Sequence, residues 1–479
     1  SIRNKYDFIN LDEFDLEWSI TQDGRKIQEG NLAPVSVSPG HTINVRVPYD
    51  SSVFINGAEY WLKLAFRTRE NKVWATKGHE VGWEQMLIRQ TAKPFANVPG
   101  GLAALRVDST ANRLTVTGDR FSLAFSRQNG LLVSYKNGQR ECLAQGPEII
   151  GGPRLNVYRA PIENDGSVAS LWRAAGLDRL APQLRAFTTT ITAQQHVQVH
   201  THIFYKGENG CGFDHQATFT ILPDGGVLLD NQIYPHGPLP TLARVGVEWG
   251  LNKELHHLEY FGRGPHENYC DRKSGASLGQ HAGPVAEQYV PYGVPQDNAS
   301  KQDVRWLSLQ KSDRSGLLFV ARAAPLAMTV LPYTRSDLEK ATHLNKLNPS
   351  DFLTLSLDHR QRGVGNGVDA VKREETNFLL NQYAVEPREY AFSYVLRPLQ
   401  SNGQAVEQIA RLELPAASEP LVQRNSSGQV AICSFLPGDK IMYTVNGRGR
   451  SSGTPYQDTF SFSGKGEIWA QTLNRQVGS

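Results

Sequence analysis

Cysteine is scarce in this chain. Four residues, Cys142, Cys211, Cys270 and Cys433, are spread over 479 positions, and none belongs to a C-x-x-C pair. Zinc-ribbon and thiol–disulfide motifs are therefore excluded, and a chain of this length does not need a disulfide framework to build a core. Long apolar runs are lacking as well: none approaches the roughly 18 residues of a membrane span. No charged-then-apolar leader opens the sequence, and Ser1-Ile2-Arg3 begins it without an initiator methionine, as expected of a piece cut from something longer. Charge of one sign is also missing. Fifty Lys and Arg against 47 Asp and Glu leave a formal +3, which argues against a nucleic-acid groove or a basic membrane-binding face. H-E-x-x-H does not occur, so zincin chemistry has no support.

What the chain does have is period-two alternation. Phe14 to Ile20, Thr42 to Val47, Tyr60 to Phe66, Phe121 to Phe125 and Val197 to Tyr205 place apolar residues at every second position, the pattern of half-buried antiparallel strands. Asn129-Gly130, Asn137-Gly138 and Asp224-Gly225-Gly226 accept positive φ cheaply and read as hairpin turns. Helical spacing is confined to Ser167–Leu180, stopping at Gly176, and to Val406–Leu412. Two Pro/Ala-rich connectors divide the chain into units at 1–93, 105–398 and 421–479, with linkers at 94–104 and 399–420. The first suits a seven-strand sandwich. The second, with so little helix, requires a large many-stranded pair of sheets or a barrel.

Three clusters carry possible chemistry. His196, His200 and His202 share one strand face; metal binding would need a converging carboxylate or fourth donor, and the preferred reading is a wet sheet face. The run from Phe261 to Lys273 holds His, Glu, Asp and two Arg. Pro265 and Glu267 spoil it as a phosphate cradle, and a rigid loop pinned by Arg–carboxylate pairs is the preferred reading. Arg159 to Gly166 is either a mobile mouth loop or an ion-paired turn. The sequons at Asn298 and Asn425 carry no weight without a known host.

The Phe261–Lys273 run resembles the F-G-R-G-P-x-E-N-Y-x-D-R-K signature of β-galactosidases of glycoside hydrolase family two. Arg159-Ala160-Pro161 with Asn164-Asp165-Gly166, Gln288 to Tyr292, Pro295 to Asn298, Asp303 to Trp306, Pro332-Tyr333, Leu338-Glu339, His343, and Asp358 through Gly365 continue the resemblance in order. Ile2 to Gly24 and Gly78 to Gln85 are similar to the immunoglobulin-type sandwich that follows the barrel in these enzymes. Leu436 to Gly447 is similar to small terminal β-sandwich modules. The resemblance thus implies an all-β chain: an immunoglobulin-like sandwich, a large galactose-mutarotase-like supersandwich and a small C-terminal β-sandwich.

It also implies a missing part. A retaining glycosidase needs two carboxyl groups roughly 5 Å apart, and in this family both are glutamates of a (β/α)₈ barrel, a fold of about 250 alternating residues for which this chain has no pattern. The family's acid/base glutamate follows an asparagine, and no Asn-Glu dipeptide occurs here. The expected role is therefore a non-catalytic scaffold, inactive alone, that partly closes a sugar pocket; its partners would be the catalytic barrel and a galactoside or other carbohydrate, with no nucleic acid and no membrane. No metal or cofactor is expected in this chain, Mg or Na being left open for the complete enzyme, and the compartment of a soluble protein is left open between cytoplasm and periplasm. The family's sugar-stacking aromatic has no counterpart in Asn366 to Val371 after Gly365. Arg159, Glu163, Asn164, Asp165 and Gly166 are accordingly the expected substrate-binding residues. Two alternatives stay open: a free-standing carbohydrate-binding protein, and an aldose mutarotase using His236 and Glu248.

Overall fold

A computed structural model describes residues 1–91, 103–144, 151–191, 196–365, 379–401, 405–412, 421–424, 428–433, 440–445, 453–457, 460–462 and 468–473. The first expected connector falls largely outside these residues, as do Asn366–Val371, the Asn425 sequon and part of Leu436–Gly447, whereas the second, 399–420, is described at 399–401 and 405–412 and holds the helix Val406–Ala410.

The chain is built of antiparallel sheets. In the N-terminal unit, Phe14–Gln22 sits between Arg25–Leu32 and Glu59–Thr68, and Glu80–Gln90 completes a four-stranded sheet. Phe14, Leu16, Trp18 and Ile20 are all buried, so the alternation turns one face inward. Instead of seven strands, this unit has six among the described residues. The expected strand Thr42–Val47 is only Thr42–Ile43, paired with Ile2–Arg3. Pro34, Pro39 and Pro48 punctuate this stretch, and proline cannot donate to a ladder.

The middle unit combines three sheets. Nine strands run from Ala181–Ile191 through Val197–Lys206, Gly212–Ile221 and Val227–His236 to Tyr390–Leu399, then Gly316–Ala321, Trp306–Gln310, His257–Gly264 and Ser277–Pro284. One five-stranded sheet is ordered Arg154–Asn156, Arg244–Asn252, Phe352–Gln361, Leu326–Leu331 and Lys301–Val304. The other runs from Arg140–Glu141 to Arg106–Ser109. All three contribute to one apolar cluster, which includes Leu123, Phe125, Phe219, Val247, Trp249, Leu355, Phe319 and Tyr394. At its centre the Trp249 ring lies 5.7 Å from Phe319, edge-on, and its Nε1 donates to the Tyr394 hydroxyl at 3.1 Å.

The middle of the nine-stranded sheet is buried on both faces, which explains strands that are apolar throughout rather than alternating, such as Gly316–Ala321. Its second face packs through Phe261, Trp306, Leu318 and Val395 against the helix Val406–Ala410 and Trp61 of the N-terminal unit. Polar groups lock the contact. Arg305 donates to Glu59 at 2.7 and 3.2 Å and lies over the rings of Trp61 and Phe261; Trp61 Nε1 donates to Glu59 at 2.6 Å. Gly24, at φ +83°, approaches so closely that a Cβ would meet Gln280 N at 2.7 Å. The remaining short strands, Leu421–Arg424, Gln429–Cys433, Lys440–Val445, Thr454–Pro455, Phe460–Ser461 and Ile468–Leu473, form two three-stranded sheets. No helix among the described residues is long and apolar enough to cross a membrane.

Glu59→Ala strands the Arg305 guanidinium and the Trp61 N–H in a buried contact. It should cost about 2–4 kcal/mol, read as a lower urea midpoint; an unchanged midpoint would show that this contact does not stabilise the folded chain.

Candidate functional site

Five separate segments of the middle unit meet at one corner of the five-stranded sheet, and arginine–carboxylate contacts join them. Arg159 is fully buried. Its Nε and Nη2 reach the two carboxylate oxygens of Asp165 at 2.8 and 2.7 Å, and Nη1 donates to the Arg362 carbonyl at 3.0 Å. Asp165 also accepts from Ile162 N, closing the turn on itself. Arg244, equally buried, donates to Asp297 at 2.7 Å and faces Asp358 at 3.2 Å. Asp271 accepts from Val364 N and Gly365 N at 3.0 and 2.8 Å, Asn164 donates to the Val364 carbonyl, and Arg272 donates to the Gly365 carbonyl. Gly363 leaves no room for a side chain, because a Cβ there would sit 2.7 Å from the Asp271 carboxylate.

This geometry decides between the two readings of Arg159–Gly166: it is an ion-paired turn. Arg159 and Asp165 satisfy each other out of reach of solvent, so neither can meet a substrate directly, contrary to their expected role. Glu163 and Gly166 are exposed and Asn164 is half-buried. Glu163 is tied only through its backbone N–H, which donates to Gln296, and its carboxylate is left outward. The Phe261–Lys273 run is likewise a pinned loop. Arg263 and Lys273 share Asp303 at 2.6 and 2.7 Å, while Glu267 accepts from Ala299 N and the Tyr292 hydroxyl. Asn298 is buried and bonded to Val290 N and the Gln296 carbonyl, which closes its sequon to modification in the folded chain.

The other sequence candidates do not gather. His196 is buried just before its strand, His200 meets Thr218, and His202 bonds Asp214, which His236 also bonds at 2.7 Å. No group of three His, Cys, Asp or Glu suited to a metal occurs among the described residues. Glu248 lies on a different sheet from His236, paired to Arg154 at 2.7 Å and Arg335 at 3.4 Å. Burial opposes its charge, but Arg335 and Arg154 outweigh that and bring its carboxyl down to about 2. It is therefore an ion-pair partner rather than a proton donor.

Sequence reasoning missed the centre of this corner. Arg244 opens its strand with no motif to mark it, and Asp297 and Asp358 were visible only as parts of longer runs. Asp358, at 0% exposure, projects from the polar face of its strand beside Gly246. Burial pushes its carboxyl up to about 7, Arg244 resists this, and the neighbouring charges of Asp297 and Glu248 add to the rise. Asp297 and Asp358 do not form a glycosidic pair, because the Arg244 guanidinium occupies the space between them. The contacts of the corner join its segments to one another.

A family model described as the β-galactosidase small chain matches residues 117–396, and one described as β-galactosidase domain 4 matches residues 1–89. The chain belongs to the β-galactosidase small-chain family. Among curated β-galactosidases, that of Priestia megaterium is 30% identical over 407 residues, covering 83% of this chain and 37% of that protein. That of Pseudoalteromonas haloplanktis is 27% identical over 414 residues, covering 82% and 37%. This small-chain member thus spans little more than a third of the length of those relatives. Among solved structures, an Escherichia coli putative aldose 1-epimerase aligns at 10% identity and TM-score 0.30 over 62% of this chain and 99% of its own. An aldose epimerase homologue from C. elegans aligns at 10% and 0.31 over 61% and 98%.

Two outcomes test the corner. Arg159→Ala leaves Asp165 buried without its cation and should cost about 3–5 kcal/mol in urea unfolding; Arg159→Lys should recover only part, since an ammonium cannot make the two-pronged contact. Asp358 has its proton affinity raised on folding, so its stabilising contribution is complete below the unfolded value of about 4 and is lost as pH rises through about 7. In Asp358→Asn, the fall in melting temperature from about pH 5 to about pH 8 should be smaller than in the parent chain. An identical pH profile would contradict this assignment.

Proposed function

We propose that this chain is the non-catalytic C-terminal part of a β-galactosidase, supporting a catalytic barrel, upstream in the same chain or in a separate subunit, and partly closing its sugar pocket. The observation that carries the reading is the joint match of two β-galactosidase segments, residues 1–89 and 117–396, in a chain whose motif carboxylates are spent on structure. Asp165, Asp297, Asp271 and Asp303 each bind an arginine, a lysine or backbone N–H groups. Hydrolysis with retention needs one carboxylate free to attack and a second holding a proton.

The units are also arranged for support. The N-terminal sandwich is tied to the nine-stranded sheet by Arg305–Glu59 and by Gln85, which exchanges hydrogen bonds with the Leu278 backbone at 2.9 and 2.8 Å. A barrel docked on this pair would meet a preformed surface that loses little freedom on binding. Glu163, Asn164 and Gly166 remain the part of the expected mouth loop that could face such a partner.

Incubation with a chromogenic galactoside should give no turnover by the chain alone, and activity should appear on mixing with a separately produced family-two barrel portion. Turnover by the chain alone, abolished by replacing a single acidic residue such as Glu163 or Glu386, would overturn the proposal.

A further inference from the structure

The N-terminal sandwich is open on one side. Its four-stranded sheet pairs Leu16 with Phe66, Trp18 with Leu64 and Ile20 with Leu62, so these side chains share the inward face. Between that face and the short pair formed by Ile2–Arg3 and Thr42–Ile43 lies a groove of about 670 Å³. Its lining is largely apolar and includes Ile2, Val45, Val47, Leu64, Phe66 and Met86.

Residues 44–47 run along this groove with the burial of a strand but without a ladder. Val45 and Val47 are half-buried, while Asn44 and Arg46 are exposed. Pairing stops at Ile43, opposite Ile2, and no hydrogen bond joins the backbone of residues 44–47 to any other described residue. Strand alternation beside a row of unpaired N–H and C=O groups makes an edge that accepts a further strand. The existing pairs, Ile2 with Ile43 and Arg3 with Thr42, are antiparallel, so a strand added along residues 44–47 on that edge lies in line with Ile2–Arg3.

We propose that this groove receives one extended strand of the barrel-bearing portion of a β-galactosidase, which pairs with residues 44–47 and turns alternate apolar side chains onto Leu64, Phe66 and Met86. The unpaired backbone calls for a polypeptide rather than a lipid, because only a peptide returns donors and acceptors at strand spacing. Charge narrows the occupant further. Arg3 and Lys5 line the groove against a single carboxylate, Glu84, and Arg46 is exposed between the two valines. Carboxylates on the incoming strand are therefore favoured, whereas a second copy of this chain would set the same cations against one another. The curated relatives hold well over half of their length outside the match, ample chain to supply the strand. With it, the six strands of the sandwich become seven. The inference rests on the proposed barrel partnership and names a contact which that partnership uses.

The test is hydrogen exchange on the 479-residue chain, alone and mixed with a separately produced family-two barrel portion, with sedimentation and galactosidase activity read on the same mixtures. In the chain alone, amides 44–47 should exchange freely. On mixing, alternate ones should gain about a hundredfold protection, as a one-sided antiparallel ladder requires. Val45→Asp and Met86→Asp should each weaken association about tenfold; Met86 is 38% exposed, so its replacement leaves the folded chain in place if Val45→Asp does not. Activity gained on mixing while residues 44–47 stay unprotected, or association unchanged in both variants, would overturn this contact and leave the barrel partnership standing. Protection without activity would support the contact and count against the pocket-closing role. Failure to associate would overturn both, and protection that grows with the concentration of the chain alone would replace the barrel strand by a second copy.

Discussion

Burial of paired arginines is the constraint on which the middle unit depends. A guanidinium at Arg159 or Arg244 cannot be removed from water unless carboxylates and carbonyls replace its hydration on every side. Asp165, Asp297, Asp358 and the Arg362 carbonyl do much of this, and Asp297 and Arg362 lie 53 and 203 residues from the arginines they meet. Satisfying two cations therefore ties the turn at Arg159–Asp165 and the loop at Asp297 to the strands that carry Arg244 and Asp358.

That constraint also explains why motif residues with the look of catalytic machinery do other work. Aspartate and arginine in close sequence suggest acid–base chemistry until their burial is known. At 0% and 1% side-chain exposure, the Arg159–Asp165 pair is a cross-link. The same reasoning applies to Asp303, which burial disfavours as an anion but which Lys273 and Arg263 hold below the usual carboxylate range. A carboxylate so held is a poor proton donor at neutral pH. The sheets beneath supply rigidity through Trp249, Phe319 and Tyr394, and the loops above inherit it.

Much of the fold was legible in the sequence because a period-two pattern is a direct record of one buried face. Phe14–Gln22 and Val197–Lys206 are strands where alternation placed them, and Gly130, Gly138 and Gly225 turn with positive φ. The helix Gly166–Ala174 ends before Gly176, which is left-handed at φ +71°. Thr42–Val47 failed because alternation says nothing about a partner: a strand needs a ladder, and prolines flank this one. The candidate site was less legible. Sequence spacing could propose that Arg159 and Asp165 interact, but not that both would be sealed from solvent. Arg244, which opens a strand that also carries Glu248 and Asn252, belongs to no motif, and what matters there is a neighbour 53 residues away.

Hydrogen exchange across the corner separates the two physical pictures most directly. If the ion-pair grid joins these loops, the amides of Asp165, Asp297, Val364 and Gly365 should open together, with one common protection that drops for all of them in Arg244→Ala. Fast, independent exchange of residues 159–166, unaffected by Arg244→Ala, would mean that this segment is a mobile lip after all and that the grid does not govern the corner.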